Sequence, residues 1–194
     1  VAVDAKTLER YGQWPIRRRY YAEMLDRLDQ AAVVGFDLLL RDPTPDDVAL
    51  AAAIARHGRV LLPVYLEEGG RATGPLEQLV PRSTGHIHIE LGVDHTARGL
   101  FHSIYGSNRS LLPSLSSGMY ELLTDQPFRR SSVPSRPAAV VLQQDVHMIN
   151  YYGPPGTFPR VSLADLLEGE VPSVYFAGKL VLVGLTAPGI LDAV

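Results

Sequence analysis

The sequence predicts an α/β fold: a mixed, largely parallel central sheet with helices on both faces and an antiparallel hairpin. Three observations carry this. Strand and helix signals alternate through the first two thirds of the chain. Two short apolar runs, Ala31–Leu40 and Leu180–Leu185, are too uniformly apolar for half-exposed strands and read as strands buried on both faces. Apolar alternation on either side of Gly92-Val93-Asp94-His95 reads as a hairpin.

The elements follow in order. Val1–Val3 is a short strand ending at Asp4. Tyr20–Gln30 carries Tyr21, Met24, Leu25 and Leu28 at three- and four-residue steps, which makes one apolar helical stripe. Ala31–Leu40 is the first central strand, and Pro43 and Pro45 break the chain after it. Asp46 and Asp47 stand where a helix N-terminus favours negative charge, so Val48–His57 is a helix, which Gly58 ends. Arg59–Leu66 is the next strand, followed by a Gly-rich loop over Glu67–Pro75. Gly85–Leu91 and Arg98–Tyr105 form the hairpin, and Pro113–Leu123 is a helix. Gln126–Pro137, rich in Pro, Ser and Arg, is a loop. Ala138–Tyr152 holds one or two strands, Tyr152–Pro159 is a loop, and Ser162 caps a short helix over Leu163–Leu167. No internal repeat interrupts this order.

With 194 residues, 46% of them hydrophobic, the chain suits one generous α/β domain or two small ones. A net charge of −3 argues against a nucleic-acid binder, which needs a basic face. The local clusters Arg17-Arg18-Arg19 and Arg129-Arg130 with Arg136 read as solvated loop arginines. The absence of cysteine excludes disulfides and thiolate chemistry and permits export. No stretch reaches the ~20 apolar residues of a membrane span. The first residues, Val1-Ala2-Val3-Asp4, read as a strand already under way, and both ends are expected to be cuts within a longer protein.

Complete catalytic motifs are missing. Val3-Asp4-Ala5-Lys6-Thr7 approaches the strand of aspartate-based phosphatases, but Lys6 replaces the second acid that would serve as the acid/base partner. Asp4 therefore reads either as a cap on the following loop or helix or as a ligand contact. Gly178-Lys179 lacks the glycine and the Ser/Thr of a phosphate loop. There is no Gly-x-Ser-x-Gly elbow. His86 and His88, two apart on a strand, share a face and with His95, His102 or Glu90 are weak candidates for a metal, although strand periodicity alone explains the spacing. Trp14, beside three arginines, either lines a pocket rim or packs its loop on the core. Ligands of parallel sheets meet the carboxyl ends of the strands, and Asp4, Asp37 and Thr186 all fall at or just beyond such ends.

Several segments in order resemble one family. Gly12-Gln13-Trp14-Pro15-Ile16-Arg17-Arg18, then Leu25-Asp26-Arg27-Leu28, then Val33–Leu40, resemble the type-2 CHASE domain (cyclases/histidine kinases associated sensory extracellular). So do the acidic start at Asp46–Ala55, Gly85–Arg98 with its Asp94 and Arg98, Pro113-Ser114-Leu115, Ile149-Asn150-Tyr151-Tyr152-Gly153-Pro154, Val161–Leu167 and Gly178–Gly184. Gly184-Leu185-Thr186-Ala187 departs from the family's usual ending. The resemblance spans nearly the whole chain and implies an extracytoplasmic sensor on the periplasmic side of a bacterial membrane receptor. Flanking membrane helices, a homodimeric parent and a cyclase, phosphodiesterase or kinase output would lie outside this chain. No catalytic residue and no cofactor are expected here. The expected ligand is small and polar or anionic, taken by Asp4, Trp14, Arg18, Asp37, Arg98 and Thr186, unless Asp37 and Arg98 pair with each other. A ligand-free dimerisation module or a metal-dependent hydrolase are the alternatives.

Overall fold

The computed structural model describes residues 1–67, 71–105, 111–128 and 146–189. Five parallel strands run side by side in the order β1 (Ala2–Val3), β11 (Leu180–Leu185), β2 (Val33–Asp37), β3 (Val60–Leu66), β5 (Ser83–His86). A sixth, β4 (Ala72–Thr73), runs antiparallel to the end of β3. The expected mixed, largely parallel sheet is present. The expected hairpin is too: β6 (Ile89–Leu91) pairs antiparallel with β7 (Ala97–Phe101), and β10 (Val146–Met148) adds a third strand. The run Gly85–Leu91 is divided between two sheets, however, because β5 joins the central sheet as a parallel edge strand and only β6 enters the hairpin. Ser103–Tyr105 pairs instead as β8 with β9 (Leu111–Pro113). The loop from residue 129 onward and the first part of the predicted 138–152 strand lie outside the described residues, as do Arg129, Arg130 and Arg136.

Helices cover both faces, unequally. α1 (Ala5–Tyr11), α2 (Arg19–Arg27), α3 (Asp47–His57) and α5 (Leu163–Glu168) share one face. There Tyr21, Met24, Leu25, Leu28, Leu50, Ile54, Leu163 and Leu166 close over Val34, Phe36, Val60, Leu62, Val181 and Val183. On the other face α4 (Leu115–Thr124) sets Leu115 and Met119 on Val33 and Leu61. Local signals explain the ends. Gly58 terminates α3 at φ 72°, a left-handed conformation only glycine adopts cheaply. Ser114 and Ser162 cap α4 and α5 through their hydroxyls.

One expectation is corrected. Leu180–Leu185 is not buried on both faces: Val181 and Val183 are, but Leu180 and Leu182 remain 48% and 59% exposed. α4 lies over β2, β3 and β5, and among the described residues no helix lies over β11 on that side.

The arginine cluster is also divided. Arg17 pairs with Asp46 at the surface, through contacts of 2.9 and 3.1 Å. Arg18 is buried and meets Asp47, itself 1% exposed, at 2.5 Å. Asp47 also accepts hydrogen bonds from the Thr44 amide and hydroxyl and from the Gln78 amide. Burial pushes its carboxyl upward, but the Thr44 and Arg18 hydrogen bonds win and hold it below the usual carboxylate value. Reading all three arginines as solvated is therefore wrong for Arg18.

Arg18→Ala leaves a buried carboxylate without its countercharge and should cost about 3–5 kcal/mol in urea unfolding. Arg17→Ala, in the exposed pair, should cost under about 1 kcal/mol; equal losses would contradict the assignment. A methyl group at Gly85 would stand 2.7 Å from the Leu115 backbone, so Gly85→Ala forces α4 off β5. It should lower stability by about 1–3 kcal/mol by the same measurement.

Candidate functional site

Parallel pairing brings three of the sequence-predicted residues to one end of the sheet. Val3 is in register with Leu185 and Gly184 with Asp37, so Asp4, Thr186 and Asp37 follow one another across the carboxyl ends of β1, β11 and β2. Asp37 and Gly184 lie on the less covered face, since a Cβ at Gly184 would stand 3.9 Å from that of Asp37. Strand alternation puts Leu180, Leu182 and Thr186 on this same face. The result is an open strip beside α4, with Leu180 and Leu182 as an apolar floor and exposed Asp37 and Thr186 at its upper end.

Asp4 borders this strip but is engaged. Its Oδ1 accepts from the Thr7 amide (3.0 Å), the Thr7 hydroxyl (2.8 Å) and the Ser162 hydroxyl (2.9 Å), which caps α1 and ties it to the start of α5. Burial acts to raise its value, and these three donors together take it below the ordinary carboxylate range. Asp4 therefore performs the capping role foreseen for it.

The other predicted residues lie elsewhere. Arg18 is in the buried pair with Asp47. Arg98 forks Asp94 through contacts of 2.6 and 2.7 Å at the exposed β6–β7 hairpin, and the hydrogen bonds from Arg98 hold the Asp94 carboxyl down at about 2. The alternative pairing of Arg98 with Asp37 is thereby replaced by Arg98 with Asp94. Trp14 packs partly buried on the main core beside the α1–α2 connection, as a loop anchor. Thus neither arginine expected to attract an anion stands at the strip.

Sequence reasoning missed one group and left a second incomplete. Glu67, at the end of β3, accepts from Thr73 at 2.5 Å and pairs with Arg71 at 3.1 Å, with Arg41 contributing to its field. These residues extend the carboxyl edge beyond Asp37; the β3–β4 return that assembles them has no periodic signal. The second group is histidine. His86 is 1% exposed, and its Nδ1 accepts from the His88 amide at 3.3 Å. Its Nε2 makes no well-formed hydrogen bond. Burial, then the neighbouring His88, push it down to about 4, and a marginal contact with the Phe101 backbone offsets only part. His102 packs at a tilt against His147, ring centroids 4.1 Å apart, and against Phe128 at 4.5 Å. Among the described residues no three metal-ligating side chains converge, and His86 and His88 do not share a strand: His86 ends β5, and His88 lies in the link to β6. Ser117 Oγ lies 3.4 Å from His102 Nδ1.

Among the described residues, no helix is long and apolar enough to cross a membrane. No curated protein and no solved structure matches the chain. The family model of the CHASE2 domain matches residues 1–194, the whole chain. The ordered segments found in the sequence, the mixed α/β sheet they build and this full-length match agree: the chain belongs to the CHASE2 family of extracellular sensory domains of signalling receptors.

Proposed function

We propose that this domain is the stimulus-receiving part of a bacterial membrane receptor, standing outside the cytoplasmic membrane between flanking helices and acting as a homodimer. Its parent would carry a cyclase, phosphodiesterase or kinase output. The observation that carries this reading is the family match over every residue of the chain. The stimulus is a small polar molecule that settles on the open strip, its less polar side on Leu182 and its donor groups toward Asp37 and Thr186. Ligand sites combine an apolar floor with a few placed polar groups in this way. The two arginines are held by Asp47 and Asp94, which favours hydroxylated or amine ligands over anions. Binding would bias the receptor only through its different affinity for two domain arrangements.

The floor itself supports one alternative. Leu180 and Leu182, with exposed Val174 and Tyr175 just before them in the chain, could serve a ligand-free dimer contact instead.

A thermal-shift panel of polyols, amino acids, amines and small organic acids discriminates these. At a hundred times its dissociation constant, a ligand contributes about 2.7 kcal/mol, a rise of roughly 5–10 °C for a domain of this size. A polyol or amine should produce that rise, and Asp37→Ala with Thr186→Val should remove it. A shift from organic acids alone would overturn the assigned chemistry. A silent panel with concentration-dependent dimerisation would favour the second reading.

A further inference from the structure

The C-terminal end of α4 folds back into a corner. Asp125, at φ 52°, takes the left-handed conformation that reverses the chain, and Gln126-Pro127-Phe128 returns beside the last turn of the helix. Three contacts fix this return. The Phe128 amide donates to Glu121 Oε1 at 3.0 Å, the Gln126 amide to the Thr124 hydroxyl at 3.3 Å, and that hydroxyl to the Tyr120 carbonyl at 2.9 Å. The Tyr120 and Phe128 rings are thereby set 5.4 Å apart at 87°, with His102 against Phe128 at 4.5 Å. Tyr120, Gln126, Pro127 and Phe128 line a half-open cavity of about 350 Å³, within the ~300–1,000 Å³ of small-molecule sites. The cavity lies far from Asp37 and Thr186. Ser114, before α4, bridges to His86 at the carboxyl end of β5, whereas Leu122, near the end of α4, accepts from Arg59 at the amino end of β3.

The chemistry of the corner selects one kind of guest. Aromatic rings carry negative faces that attract a cation. The C-terminal end of a helix adds partial negative charge, and the last turn of α4 has no basic residue to offset it. Glu121 and Asp125 flank the corner, and Arg59 is engaged there with the Leu122 carbonyl and, at 3.4 Å, with Asp125. Among the described lining side chains only the Tyr120 hydroxyl and the Gln126 amide are polar. A primary ammonium would bring three N–H donors to too few acceptors. A fully methylated ammonium carries the same charge with no donor to satisfy.

We propose that this corner is a second binding site, which takes a quaternary ammonium group between Tyr120 and Phe128. It stands at the opposite end of the sheet from the polar end of the strip, and it stands whether or not the strip binds a ligand.

The probe is tetramethylammonium chloride, titrated into the 194-residue chain and followed by saturation-transfer NMR of its methyl protons. tert-Butanol serves as a neutral molecule of similar shape, and sodium chloride controls for ionic strength. Tetramethylammonium should bind saturably below about 10 mM and about tenfold more tightly than tert-butanol. Tyr120→Leu and Phe128→Leu should each weaken binding by about three- to thirtyfold. Tyr120 is 45% exposed, so its variant should fold and melt like the parent chain. Asp37→Ala with Thr186→Val should leave binding unchanged. Equal binding of tert-butanol overturns the choice of a cation, and full affinity in both ring variants overturns the site. Loss of binding in the Asp37 and Thr186 variant puts the cation on the strip and also overturns it. So does the absence of saturable binding, a result that leaves the strip to its own panel of polyols and amines.

Discussion

The buried contact between Arg18 and Asp47 holds together segments that the sheet alone does not connect. Asp47 opens α3, Arg18 opens α2, Thr44 comes from the turn before α3, and Gln78 from the segment between β4 and β5. An ion pair taken out of water recovers its desolvation cost only when the remaining lone pairs are satisfied. Here one carboxylate receives donors from Thr44, Gln78 and Arg18 together. The consequence is geometric: the N-termini of the two largest helices on the closed face are fixed to each other, and Leu25, Leu28, Leu50 and Ile54 are delivered to the sheet as a unit. Arg17 and Asp46 repeat the same pairing one residue earlier, in solvent, where it contributes little.

That rigidity makes the two faces unequal. The closed face is filled, while among the described residues the opposite face is covered by α4 over β2, β3 and β5. The strip over β11, on which we propose that a stimulus acts, lies on this less constrained side. A sensor needs such a division, because a stimulus can shift a population only if some part of the fold has a second arrangement within a few kcal/mol.

Much of the fold was legible because its causes are local. The stripe Tyr21-Met24-Leu25-Leu28 gave α2, Gly58 ended α3, and Ser162 capped α5 where expected. What was not legible depends on distant partners. Nothing near Arg18 distinguishes it from Arg17; the difference lies 29 residues away, in which aspartate is covered. Leu180 and Leu182 look as apolar as Val181 and Val183, and only the placement of α4 separates them. That Asp4, Asp37 and Thr186 share one end of the sheet was legible because strand ends are visible in sequence and parallel pairing aligns them. Arg98 was misjudged because a hairpin returned it to Asp94, four residues earlier, instead of to the central sheet. The contact of His102 with His147 was not legible because the two come from opposite sides of a long excursion.

The central claim is that stimulus reception takes place on the open face at the carboxyl ends of β2 and β11. A hydrogen–deuterium exchange footprint taken at pH 7.5, with and without whichever small polar molecule most stabilises the domain, tests it most directly. The account predicts added protection confined to residues 36–38 and 183–188, with α2 and α3 unchanged. A footprint on α2 and α3, or on the β6–β7 hairpin alone, would contradict it.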